Sequence, residues 1–168
     1  MKKLILLFIT TSFVLSQNLI WSVDEKYENG NIKEISYHQK IWQKIELVKK
    51  ETYYENGQIE GEANFKDGEV NGKATSFYEN GQRWAEGNFK AGKPNGNFTS
   101  YYENGQIKKE GNHKNGIRDG KRTKYFENGQ IKWEKYYKDG IKDGKCTYYN
   151  EDGSIDRVEE YKDGKLVE

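Results

Sequence analysis

The sequence predicts an all-β chain, one elongated antiparallel sheet of tandem β-hairpins with a period of 24 residues. The first observation is the motif Glu-Asn-Gly at residues 28–30, 55–57, 79–81, 103–105 and 127–129, with Glu151-Asp152-Gly153 as a last variant. Its steps are 27 (55−28) and then 24 four times (79−55, 103−79, 127−103, 151−127). The second is what precedes each motif. Thr75-Ser76-Phe77-Tyr78, Thr99-Ser100-Tyr101-Tyr102, Thr123-Lys124-Tyr125-Phe126 and Thr147-Tyr148-Tyr149-Asn150 are rich in strand-favouring residues. The third is composition. Hydrophobic residues are 33% and mean hydropathy is −1.12, which alone suggests disorder, yet aromatics are 14%. The apolar content therefore sits in rings, and the 18 glycines fall in register with the repeat as turn residues.

Along the chain, residues 1–16 read as a cleavable export peptide. Lys2-Lys3 precede the apolar stretch Leu4 to Leu15, and Val14 and Ser16 are small residues placed for a cut at Ser16–Gln17. The run is shorter than the roughly 20 apolar residues of a membrane span, and Thr10, Thr11 and Ser12 interrupt it. The expected location is the periplasm, the cell surface or the medium. Cys146 is the sole cysteine, so no thiol lies near the leader for a lipid anchor and no disulfide forms within the chain. Residues 17–51 read as a degenerate first repeat and an irregular insert. Within it, Ile41, Trp42, Ile45 and Val48 fit a short helix whereas Ile45, Leu47 and Lys49 fit a strand, and a strand pair with a bulge or longer turn is the reading carried forward.

Residues 52–168 form the repeat array. Each Asn-Gly reads as a two-residue type I′ turn with positive φ at both positions. The second loop of each unit, such as Asp67-Gly68 with Asn71-Gly72, reads as a longer connection between hairpins. Counting outward from a two-residue loop puts Phe77 opposite Trp84 and Tyr78 opposite Arg83. One face then carries Tyr54 over Ile59, Tyr102 over Ile107 and Phe126 over Ile131, with Ala63, Gly87 and Gly111, then Phe65, Phe89, His113, Tyr137 and Tyr161. This face is the expected core. The other carries Tyr53, Phe77 beside Trp84, Tyr101 beside Lys108, Tyr125 beside Lys132, and Tyr149, with the column Glu62, Glu86, Glu110 and Glu134. It is the expected partner face. At the C-terminus, Tyr161 to Lys165 begins another copy that stops and leaves an edge.

Residues 86–96, Glu-Gly-Asn-Phe-Lys-Ala-Gly-Lys-Pro-Asn-Gly, and 110–120, Glu-Gly-Asn-His-Lys-Asn-Gly-Ile-Arg-Asp-Gly, resemble the glycine-aromatic unit of MORN repeats. The Tyr-Tyr-Glu-Asn-Gly-Gln-Ile turn resembles the bacterial variant of that repeat found in YwqK-family antitoxins of toxin–antitoxin systems. The resemblance runs from about residue 52 to the end, with a degenerate copy near 26 to 37. It implies successive antiparallel hairpins, no catalytic residues, and a role in binding. The chain departs from the pattern at His113, at Lys135 where glycine is expected, and at Asn150 where an aromatic is expected, so the fifth and sixth copies should pack less regularly.

No catalytic, metal or cofactor group emerges. His113 occupies a column of Phe and Tyr and reads as a packing residue, and Cys146 shares a column with Ala74 and Phe98 and reads as a small apolar residue. The glutamates recur in every copy and read as a solvated face rather than as paired acids. With 28 basic against 27 acidic residues, net field and the absence of a basic cluster argue against nucleic acid and anionic membranes. The expected function is a non-enzymatic exported scaffold that binds a partner protein, antitoxin- or immunity-like, through Tyr53, Phe77, Trp84, Tyr101, Lys108, Tyr125, Lys132 and Tyr149. Alternatives are a glycan or cell-wall module that uses the same rings, and a membrane-lipid-associated protein.

Overall fold

The computed structural model describes residues 5–6 and 19–167; the rest of the expected leader, 1–16, lies outside the described residues. The strands are β1 (Ile5–Leu6), β2 (Leu19–Lys26), β3 (Ile32–Ile41), β4 (Lys44–Tyr53), β5 (Ile59–Lys66), β6 (Glu69–Phe77), β7 (Arg83–Lys90) and β8 (Lys93–Tyr101). They continue with β9 (Ile107–Lys114), β10 (Ile117–Tyr125), β11 (Ile131–Lys138), β12 (Ile141–Lys142), β13 (Gly144–Tyr149), β14 (Ile155–Lys162) and β15 (Lys165–Leu166). Each pairs antiparallel with its neighbours in chain order, so they form one sheet, with β12 and β13 both on β11. Among the described residues there is no helix. Residues 38–51 lie in the hairpin β3–β4, whose longer strands and register shift at Tyr37/His38 absorb the extra residues.

The two turns are the reverse of what the sequence suggests. At Glu-Asn-Gly the loop has three residues. Gly81 N–H donates to Tyr78 O at 2.9 Å, Tyr78 N–H to Gln82 O at 2.8 Å, and Gly81 alone has positive φ, at 82°. This is a type I turn closed by a left-handed glycine. Asn80 keeps an ordinary φ; its Oδ1 accepts from Gln82 N–H at 2.9 Å and its Nδ2 donates to Glu103 O of the next copy at 3.4 Å. The type I′ turns are at the other edge, where Asp67 and Gly68 have φ 52° and 81° and Asp139 and Gly140 have 49° and 86°. The second glycine of that loop, Gly72 (φ 101°), lies within β6 at a bulge where Ala63 pairs with Ala74 but Phe65 with Val70.

The third loop residue changes every cross-strand pair beside it. Phe77 meets Arg83 and Tyr101 meets Ile107, and a second shift between Ser76 and Phe77 leaves Trp84 without a partner. Expected pairs Phe77–Trp84 and Tyr102–Ile107 are therefore not formed. Beyond the bulge, one face carries Ala85, Gly87 and Phe89, and the other carries Thr75 and Glu86. These are called the glycine face and the glutamate face below.

On the glycine face, size alternates between strands. Gly87 pairs with Phe98, whose ring fills the space of a Cβ (2.6 Å to Cδ2), and Gly111 receives Arg122 Cγ at 2.9 Å. Further out, Phe89, His113, Tyr137 and Tyr161 each pair with a glycine, Gly72, Gly96, Gly120 and Gly144 respectively. Where Lys135 replaces the glycine of this column, the residue beside it on β13 is the small Cys146, which is fully buried. The irregularity expected there is visible in the register: β11 meets β13 at Trp133↔Tyr148 and Glu134↔Thr147 alone, with β12 split off before Asp143.

The expected apolar core is a correction. The sheet is a single layer, and among the described residues the buried hydrophobics are Ile35, Ala85 and Cys146, whereas Phe65, Phe89, His113, Tyr137 and Tyr161 are half-exposed. Order comes from contacts between copies. Tyr27 OH donates to Tyr53 O, Tyr54 OH to Phe77 O, Tyr78 OH to Tyr101 O and Tyr102 OH to Tyr125 O, all at 2.7–2.8 Å. At the other edge Gly92 N–H donates to Val70 O and Gly116 N–H to Pro94 O. Phe126 occupies the next tyrosine position and has no hydroxyl to give. Phe126→Tyr should therefore raise stability by about 0.5–1.5 kcal/mol, and Tyr102→Phe should lower it by a similar amount. Thermal melts of the two variants check both signs.

Candidate recognition surfaces

On the glutamate face, strand alternation aims Tyr53, Phe77, Tyr101, Tyr125 and Tyr149 to the same side as the glutamates. Four hydroxyls on this side are used internally: Tyr101 OH donates to Glu86 Oε1 at 2.7 Å, Tyr125 OH to Glu110 at 2.6 Å, and Tyr37 and Tyr53 both donate to Glu51 Oε2. Cations complete the row. Lys49 bridges Glu51 and Glu62, Lys73 lies 2.8 Å from Glu86 Oε2, and Lys121 pairs with Glu134. The glutamates are thus half-buried and partnered, not a solvated stripe. Between them an open depression of about 380 Å³ is lined by Thr99, Glu110, Lys121, Thr123, Tyr125 and Glu134.

The Lys73 ammonium, and then the Tyr101 hydroxyl, hold the Glu86 carboxyl at about 2, below its ordinary 4.5. Burial, and then Glu110, push the Tyr125 hydroxyl up to about 12. A lowered carboxyl contributes stability that is present above the unfolded value and is lost as pH falls through the folded one. Melting temperature should therefore drop between pH 4.5 and 2. Glu86→Gln should flatten that drop, as acid titration of the variant would show.

Trp84, Lys108 and Lys132, expected on the same face, lie on the glycine face instead. Lys108 Nζ rests 5.2 Å from the Tyr102 ring centre and Lys132 Nζ 4.9 Å from that of Phe126, because the bulge turns this column toward the second aromatic of each turn. Trp84, at the bulge of an earlier copy, is 51% exposed.

The sequence reading missed a set of cations on the glycine face. Lys109 pairs with Lys124, Arg122 lies over Gly111, and Arg118 pairs with His113 and stacks 5.6 Å from the Tyr137 ring centre. Lys135 Nζ sits between Trp133 (4.5 Å) and Tyr148 (4.7 Å). Lys109 is held below the ordinary lysine value by burial, then by Arg122, Lys124, Arg118 and Lys108. A basic cluster therefore exists, contrary to the composition argument. The signal was available by aligning columns at the repeat period, where Ala85 becomes Lys109 and Ser100 becomes Lys124. His113 packs edge-on to Phe98 with ring centres 6.0 Å apart, and burial followed by Arg122 and Arg118 keeps it below the usual histidine value.

A single-layer ribbon of hairpins, with structural groups repeated in every copy and variable groups displayed on open faces, defines the class of a repeat scaffold. The family model described as "MORN repeat variant" matches residues 48–67, 70–91, 94–115, 118–139 and 142–167. The chain belongs to that family. Each matched segment contains one Glu-Asn-Gly or Glu-Asp-Gly turn and its flanking strands, and the inner ones end within the type I′ turn. A search of the curated proteins finds no match.

Proposed function

We propose that the chain is a non-enzymatic scaffold that captures a partner protein along its ribbon. The observation that carries this reading is Trp84, half-exposed at a bulge on an uncovered sheet face, since large aromatics displayed this way are the usual anchors of protein interfaces. An exported, antitoxin- or immunity-like member of the family is the form it takes; the support is the leader-like sequence of residues 1–16 and the Tyr-Tyr-Glu-Asn-Gly-Gln-Ile turn. Of the rings that the alternative reading offers to a glycan, Tyr53, Tyr101 and Tyr125 have their hydroxyls bonded to glutamates of the sheet itself.

The test is to isolate the tagged full chain from its own cells, with and without Trp84→Ala, and to identify what accompanies it by mass spectrometry. A stoichiometric protein that is lost on substitution, with an unchanged circular-dichroism spectrum, is the expected result. A wall glycan or lipid as companion, or capture indifferent to Trp84, overturns the reading.

A further inference from the structure

We propose that the C-terminal half of the glycine face is a docking surface for an Asp/Glu-rich segment of polypeptide, a reading that rests on the partner-binding scaffold above and names the chemistry of its ligand. The argument begins with columns. At four repeat positions this face is neutral in the two preceding copies and cationic in the copy built on β9 and β10: Gly61 and Ala85 give way to Lys109, Ser76 and Ser100 to Lys124, Ala74 and Phe98 to Arg122, and Val70 and Pro94 to Arg118. The fold does not need these charges, because the same strand positions are filled without them one or two copies earlier. Four independent positions changing together, on adjacent strands of one face, mark a local surface rather than a drift of the repeat.

The cations also lack anionic partners. Among the described residues Lys109, Arg118, Arg122 and Lys124 make no ion pair, whereas on the opposite face Lys49, Lys73 and Lys121 are each bound to a glutamate. Like charges held this close on a part-buried face repel one another until an anion arrives. That mutual repulsion is visible at Lys109, whose charge is disfavoured by four neighbouring cations after burial.

The geometry selects the anion. Single-stranded nucleic acid binds basic grooves by stacking its bases on open rings. Here the rings of Tyr102, Phe126, Tyr137, Trp133 and Tyr148 carry cations on their faces, which leaves charge as the recognised feature. A carboxylate needs charge and donors alone, and arginine supplies both in fork geometry. From β9 through β10 and β11 to β13 the patch crosses three strand spacings of about 4.8 Å, roughly 14 Å in all, which about four residues of extended chain would span at about 3.3 Å each. Trp84 lies next to it on the same face, in the column of Lys108, so an apolar anchor and a basic track adjoin.

Fluorescence anisotropy of the full chain with a labelled ten-residue polyglutamate peptide tests this, with polyglutamine, a ten-nucleotide oligothymidylate and phosphatidylglycerol vesicles as competing probes. Polyglutamate should bind at 50 mM salt, weaken at least tenfold at 300 mM, and bind tighter than the other three. The variant Lys109→Ala/Arg118→Val/Arg122→Ala/Lys124→Ser, built from residues the chain itself uses at those positions, should lose at least tenfold. The pair Lys109→Ala/Lys124→Ser should lose at least threefold and carries the test if the four-site variant unfolds. Removing four exposed lysines elsewhere, Lys26→Ser/Lys40→Ser/Lys66→Ser/Lys90→Ser, should change affinity less than twofold. Equal loss in that control, tighter binding of oligothymidylate or vesicles, or no polyglutamate binding at 100 µM overturns the proposal. If the cellular partner is still captured in that event, the scaffold reading stands and the acidic ligand alone falls; loss of capture with Trp84→Ala and polyglutamate binding retained leaves the patch standing.

Discussion

Gly87→Val should melt well below the parent chain, at a cost of about 1–3 kcal/mol. Gly87 is buried and has an extended backbone, so the cause is volume: its Cβ would lie 2.6 Å from Phe98 Cδ2, closer than carbon atoms approach. The ring must turn away and loses its bed on β7. The chain itself shows a remedy on one side, since at Lys135, where the column carries a long side chain in place of glycine, the neighbour on β13 is Cys146, at the place where Gly87 has Phe98, while Arg122 of β10 pairs with it from the other side. Phe98→Cys should accordingly relieve part of the damage in Gly87→Val while costing stability on its own. A double-mutant cycle should give a coupling of about 0.5–3 kcal/mol in the compensating direction. Additive losses would show that the two positions do not share space.

Gly105→Val should be damaging for a different reason, by about 1–3 kcal/mol. Gly105 has φ 83° and closes the three-residue turn; a β-branched residue is strained there, and its Cβ would meet Gln82 Oε1 of the previous copy at 3.2 Å. Gly105→Asn should cost less, because Asn tolerates the left-handed region. Asn104→Ala should cost less again. It removes the acceptor for Gln106 N–H and the link to Glu127 O but leaves the backbone in an ordinary conformation. Thermal melts of the three variants should rank Val worst and Ala mildest. The opposite order would restore the two-residue turn that the sequence suggests.

That turn shows where sequence reading succeeds and stops. The period, the hairpins and the antiparallel sheet were legible because glycine, tyrosine and glutamate return at one spacing, and the array follows from that alone. The dipeptide Asn-Gly does not reveal whether two or three residues bridge the strands. One extra residue, with the bulge at Trp84, carries Trp84, Lys108 and Lys132 to the face opposite Tyr101 and Tyr125. Residues beyond the bulge, such as Gly87 and Glu86, were placed correctly, because an error of one residue followed by a bulge of one cancels. The absence of a second layer was not legible, since half-buried rings and buried rings share one sequence pattern. Charge misled for a related reason: 28 cations against 27 anions balance overall, while strand pairing sorts them onto different faces.

The tyrosine hydroxyl chain that ends at Phe126, together with the interrupted ladder where β12 and β13 meet β11, makes the last hairpin easier to peel away than the inner copies. Opening at that junction uncovers Cys146, which is otherwise sealed. The rate at which an alkylating reagent labels this thiol therefore clocks the peeling. Phe126→Tyr should slow the labelling, whereas a change confined to the first copies, such as Tyr54→Phe, should leave it alone.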